Sequence, residues 1–203
     1  DYKNLEGSLN VSSDFSDNIL SGFAESEWKV SKRFAVRAGI RSEYSDYIKQ
    51  SSLAPRFSLA YKTGDNSQVS FAYGNFYQSP QKNYLLFTDQ LKFESAKHYM
   101  LNYQFIKNKK TFRIEAYYKD YDQLVKYDSL YLPDPNSYNN TGKGFAKGID
   151  VFWRDNSHNN IDYWISYSYI DTERDYQDFL TTATPTFVSD HNLSVVYKHF
   201  IPK

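Results

Sequence analysis

About ten segments of alternating apolar and polar residues run through this chain of 203 residues, and the joints between them are alternately short and long. The short joints are Lys29–Arg33, Thr63–Ser67, Lys107–Lys110 and Arg154–Asn159. The long ones are Tyr47–Leu53, Gln78–Lys92, Val125–Lys143 and Asp171–Ser189. A soluble sheet has no reason to sort its loops by end. A barrel threaded through an outer membrane does, because its periplasmic turns are short and its extracellular loops long.

Each segment reads with a period of two. Val36, Ala38 and Ile40 share a face opposite Arg37, Arg41 and Glu43. Phe57, Leu59 and Tyr61 oppose Arg56, Ser58 and Lys62; Val69, Phe71 and Tyr73 oppose Ser70, Ala72 and Gly74. The same holds for Tyr99, Leu101 and Tyr103, for Phe112, Ile114 and Ala116, for Ile149, Val151 and Trp153, for Ile161, Tyr163, Ile165 and Tyr167, and for Leu193, Val195 and Tyr197. Two weaker segments precede these, on Leu5, Gly7, Leu9 and Val11 and on Leu20, Gly22, Ala24, Trp28 and Val30. No segment sustains a helical period, and short joints require antiparallel neighbours. The expected fold is all-β, an antiparallel meander of about ten strands forming part of a transmembrane β-barrel.

Two architectures fit the alternation. One is a soluble β-sandwich with its apolar faces inward; the other is a membrane barrel with them outward. The apolar faces carry almost no charge over segments of about 9–11 residues, the length that crosses a bilayer. Lys147 is the clearest exception and must lie at the outer rim, since a Lys at the midplane costs about 2–4 kcal/mol against about 0–1 at the interface. Aromatic residues make up 19% of the chain, with 20 Tyr and 15 Phe, and they gather beside the joints. Trp28, Phe34, Trp153 and Tyr163 flank short joints; Tyr44, Tyr77, Tyr118, Tyr167 and Tyr169 flank long ones, as two interfacial girdles would. A mean hydropathy of -0.71 is no objection, because every second barrel residue faces the lumen.

The residues then resemble a known family. Ala24–Tyr44, "AESEWKVSKRFAVRAGIRSEY", is similar to a strand–turn–strand of TonB-dependent outer-membrane receptors of Bacteroidetes type. Leu53–Gln81, Glu94–Phe105 ("ESAKHYMLNYQF") and Phe112–Val125 ("FRIEAYYKDYDQLV") resemble the hairpins that follow. Gly142–Arg154 ("GKGFAKGIDVFWR") and Asp190–Lys203 ("DHNLSVVYKHFIPK") resemble late barrel strands. The resemblance implies a barrel of about 22 strands around a plug, which imports a scarce nutrient (a siderophore, a glycan or similar) with energy relayed by an inner-membrane TonB-type protein. Residues 1–203 then read as one incomplete domain, a segment of barrel wall whose plug and remaining strands lie elsewhere. Asp1 reads as a point within a longer protein. The expected partners are the lipid bilayer of the Gram-negative outer membrane, the plug, the remaining strands, the energy-coupling protein and the nutrient. Alternatives are a passive or structural outer-membrane barrel and a soluble ligand-binding sandwich.

The chain carries no enzymatic signature. With 24 basic and 24 acidic residues the formal charge is zero, so no nucleic-acid footprint is expected. Cysteine is absent, and the four histidines, His98, His158, His191 and His199, lack metal-ligand spacing. Gly142-Lys143-Gly144 fails the phosphate-loop pattern, and Asp120, Asp122 and Asp128 lack a calcium-loop register. Glu25 and Glu27 face Arg37 and Arg41 across a hairpin, where charge pairing is the expected role. No cofactor, metal or catalytic residue is expected. Ligand contacts are expected in the long loops, because loops on a rigid wall carry function. Gln78, Tyr84, Phe87, Tyr131, Tyr138, Asn139, Arg174, Asp175 and Tyr176, with Phe179, are the candidates to grip a sugar, peptide or chelate. Packing of loop against loop at the barrel mouth is the competing role for the aromatic ones.

Overall fold

A computed structural model describes residues 16–128 and 134–201. Its strands are β1 (Ile19–Lys29), β2 (Phe34–Ser45), β3 (Gln50–Gly64), β4 (Ser67–Gln78), β5 (Glu94–Lys107), β6 (Lys110–Lys126), β7 (Asn139–His158), β8 (Ile161–Asp175) and β9 (His191–His199). A four-residue helix, α1 (Lys82–Leu85), follows β4, and a 3-10 turn (Pro135–Ser137) precedes β7. All nine strands lie in one sheet in chain order, each antiparallel to the next. The segment around Leu5–Val11 lies outside the described residues. No described helix is long and apolar enough to cross a membrane.

Turn chemistry explains the tight end. Asn108 and Lys109 both have positive φ, 49° and 63°, as a two-residue turn between twisted strands requires. Four joints differ from expectation because pairing runs further than hydropathy suggests. Ser51–Leu53 continue the ladder onto Ser42–Tyr44, so only Asp46–Lys49 connect β2 to β3, and Lys49 closes that turn at φ 52°. β7 continues to His158, and it starts at Asn139, in register with the bulged end of β6. The β8–β9 connection begins only after Asp175.

Among the described residues no second layer covers the sheet, so Val36, Leu59, Val151 and Ile165 are not enclosed in a dry interior. The apolar face instead carries two rows of rings. Toward the long loops, Tyr73, Tyr99, Tyr118 and Phe145 follow one another at 5.1, 6.3 and 6.5 Å between centroids. Toward the tight turns, Tyr103, Phe112 and Trp153 are spaced 6.3 Å apart. On β6 the rows are separated by the rise from Phe112 to Tyr118, roughly 20 Å, close to the apolar band of about 25 Å in a membrane barrel. Leu101, Ile114, Ala116, Ile149 and Val151 fill the interval. Lys147 stands opposite Tyr118, at the height of the upper row, and pairs with Asp171 at 3.0 Å.

The other face is charged. Arg37 meets Glu27 at 2.6 Å and Glu25 at 3.6 Å, whereas Arg41 turns to Glu43 on its own strand. Arg154 grips Asp162 through Nε and Nη2 at 3.0 and 2.8 Å. Further cations lie over rings: Arg56 over Phe76, Arg113 over Phe152 and Lys198 over Trp164.

Candidate functional site at the loop end

The hydrophobic core cluster among the described residues sits at the loop end of the sheet. Ile48, Tyr84, Leu85, Leu91, Phe93, Val125 and Tyr138 form it, with Tyr47, Tyr77, Phe87 and Tyr127 packed around them. Apart from Val125 and Tyr77, at the ends of β6 and β4, these residues come from three connections, so the loops share one core. Phe87 stacks on Tyr138 at 5.9 Å and 8°, and Tyr84 meets Tyr127 and Tyr138 at 5.6 and 5.9 Å. Tyr47 Oη donates to the Leu85 carbonyl at 2.7 Å. The Asn140 amide ties the loops together, accepting from Lys92 N at 2.7 Å and donating to the Lys92 and Gln123 carbonyls. Burial pushes the Tyr84 hydroxyl up to about 12, so it stays neutral in this cluster.

The fourth connection straps across this core. Gln177 N donates to Val125 O at 2.7 Å and Tyr127 N donates to Gln177 O at 3.0 Å. Gln177 Nε2 reaches Tyr84 Oη at 3.4 Å. Lys126 pairs with Asp175 beside the crossing. Arg174 and Ala183 exchange backbone hydrogen bonds at 2.9 and 3.0 Å, which folds the strap back on itself.

Below the strap, on the charged face, lies a chamber of about 530 Å³. Its walls include Phe76, Gln78, Glu94, His98, Tyr121, Arg174, Tyr176 and Gln177. The last turn of pairing in β6 builds one side: Gln123 has φ 58° and the β6–β7 register shifts between Tyr121 and Leu124, a bulge that bends the strand end. Glu94 braces the bulge by accepting from Val125 N at 2.9 Å. Arg174 reaches across β7 to lie over the Tyr121 ring at 4.6 Å, with the Tyr176 ring at 5.6 Å. Gly144 permits that crossing, because a Cβ there would stand 2.9 Å from Arg174 Cγ and 2.6 Å from the Glu173 carbonyl. Arg174 Nε is buried without a hydrogen-bond partner, and no ion pair within 4 Å includes Arg174 among the described residues. The His98 ring lies tilted against Phe76 at 4.4 Å, both facing the chamber.

The candidates from sequence therefore fall into different environments. Gln78, Arg174 and Tyr176 border the chamber, with Phe179 edge-on to Tyr176 at 5.1 Å. Tyr84 also borders it but is buried, and Tyr138 and Phe87 belong to the loop core. Asn139 accepts from Thr141 N at 3.0 Å at the start of β7, and Asp175 is taken by Lys126. Tyr131 lies outside the described residues. Glu94, His98, Phe76 and Tyr121 were not expected; all four lie in strands on the charged face, and their parity with Arg56 and Arg113 was the available signal. No group of three metal-ligating side chains occurs among the described residues.

The geometry matches known proteins. A family model described as "TonB dependent receptor-like, beta-barrel" matches residues 1–201. No curated protein sequence matches the chain. Among solved structures, the siderophore receptor PirA from Acinetobacter baumannii is similar at 15% identity and a TM-score of 0.76, covering 92% of this chain and 32% of that one. The ferric-catecholate import receptor Fiu from Escherichia coli K12 is similar at 11% identity and a TM-score of 0.73, covering 90% of this chain and 32% of that one. PirA from Pseudomonas aeruginosa is similar at 13% identity and a TM-score of 0.65, covering 78% and 33%. These likenesses are of fold, and the chain spans about a third of the length of each relative. Fold and family are those of outer-membrane receptors, which work in the Gram-negative outer membrane with small-molecule ligands. The chain belongs to the TonB-dependent receptor β-barrel family.

Proposed function

We propose that this chain is one stretch of the wall of an outer-membrane importer of a scarce nutrient, a transporter and not an enzyme. The observation that carries this reading is the two-faced sheet, with ring rows and an apolar band on one side and charges on the other. In this reading the apolar side touches lipid and the charged side lines the bore. Among the described residues β1 and β9 each have one neighbour, and in this reading further strands of the same protein complete the barrel. A plug fills the lumen, and a TonB-type protein supplies the energy. Gln78, Arg174 and Tyr176 contact the cargo at the chamber, while Tyr84, Phe87 and Tyr138 hold the loops that frame it. The similar proteins include a ferric-catecholate import receptor and siderophore receptors, which favours a compact, polar cargo.

The test uses the complete receptor in a Gram-negative cell grown under nutrient limitation. Its deletion should impair growth or uptake, and removal of the TonB-type protein should impair it equally. Uptake that persists without energy coupling would instead identify a passive barrel. Partition of the protein into buffer without detergent would overturn the membrane reading.

A further inference from the structure

Two charges in the loop-end chamber lack counter-charges. The Nε edge of the Arg174 guanidinium is desolvated, and no carboxylate lies within 4 Å of it among the described residues. Glu94 spends Oε1 on Val125 N, while Oε2 accepts no hydrogen bond among the described residues. The two groups influence one another electrostatically but do not pair. They stand on β5 and β8, three strand spacings or roughly 14 Å apart at the backbone, and both side chains border the same space. The amide side chains of Gln78 and Gln177 and the rings of Tyr121 and Tyr176 line the same space.

We propose that this chamber takes a ligand with a free carboxylate and a free ammonium group, a short peptide or peptide-like chelate, the carboxylate on Arg174 and the ammonium on Glu94. The proposal rests on the import reading above and names its cargo class. A guanidinium fork suits a carboxylate in particular, since two parallel N–H donors meet two oxygens. The glutamine amides both donate and accept, as peptide groups need, and the rings offer apolar contact to side chains. A neutral sugar would leave both charges without partners. The chamber volume of about 530 Å³ falls within the usual range for small-ligand sites.

Calorimetry on the complete, detergent-purified receptor tests this with three probes: Gly-Tyr-Gly, its N-acetyl form and its C-terminal amide. The free tripeptide should bind, and each blocked form should bind at least tenfold more weakly. Arg174→Gln should erase the difference between acid and amide while preserving that between amine and acetyl. Glu94→Gln should do the reverse. Heat-modifiable migration on gels reports whether each variant is folded; Arg174→Lys, which keeps the charge but loses the fork, serves if the glutamine variant fails to fold and should show a partial loss. Absence of binding by the free tripeptide, equal binding of the three probes, or variants that keep both differences would overturn the proposal. Energy-dependent uptake in cells is scored separately, so loss of the peptide reading alone leaves the import reading standing.

Discussion

Leu85, in the connection after β4, is 2% exposed, whereas Leu101, in the middle of β5, keeps 53% of its surface bare. The same side chain meets two solvents in one molecule. At the loop end, water surrounds the chain, and the hydrophobic effect gathers Ile48, Leu85, Leu91, Phe93 and Val125 into a core. On the wall, the apolar residues have no protein neighbours to gather with, because hydrocarbon takes that role. The contrast shows that burial alone does not locate the functional part of such a chain. The loop-end core holds the chamber in shape, and the bare wall holds the chain in its membrane.

Mutations that break one region and spare the other sharpen this contrast. The largest effect is expected at the core, where Leu85→Ala should cost about 2–5 kcal/mol of local stability. Hydrogen exchange should then rise in the connections at 46–49 and 79–93 while the strand amides stay protected. Leu101→Ala, by contrast, should leave exchange in both regions unchanged. Next is Val151→Lys, which places a charge between the two ring rows and should cost about 2–4 kcal/mol for folding into a bilayer. Ser166→Lys on the charged face should cost far less, as read by denaturant titration in vesicles. Equal costs would overturn the assignment of faces.

A smaller effect tests close packing on the wall's inner side. Gly148 lies under the Tyr117 hydroxyl, where a Cβ would stand 2.5 Å from Tyr117 Oη. Gly148→Ala should cost about 1–3 kcal/mol by pressing on that ring and on the Tyr169 carbonyl, and Gly148→Ala with Tyr117→Ala should cost less than the sum of the two, the part due to the carbonyl remaining. The smallest effect is electrostatic. Asn18 donates to both Asp46 oxygens at 2.7 Å, which holds that carboxyl below its ordinary value. A depressed folded value means the contribution is present above the unfolded value of about 3.9 and is lost as pH falls through the folded one. Acid should therefore loosen the attachment of residue 18 to the β2–β3 turn, and Asp46→Asn should abolish that pH dependence, as followed by exchange at Asn18.

Much of this protein was legible in the order of its residues. Strand parity, antiparallel sequence and tight turns follow from local rules, since alternate side chains in a strand point to opposite faces whatever lies around them. Composition of those faces then separates lipid from lumen, and Lys147 at the ring row obeys the same cost of burying charge. The chamber was only half legible. Arg174, Gln78 and Tyr176 stand out beside long connections, but Glu94, His98 and Tyr121 look like ordinary strand residues until β5, β6 and β8 are brought together. That convergence depends on a bulge at Gln123, a crossing over Gly144 and a strap from Gln177 to β6, none of which has a periodic signature. Tyr84, Phe87 and Tyr138 show the same limit from the other side. An aromatic residue in a loop can meet either ligand or its neighbours, and only the packing of distant connections into one core decided which contacts these three make.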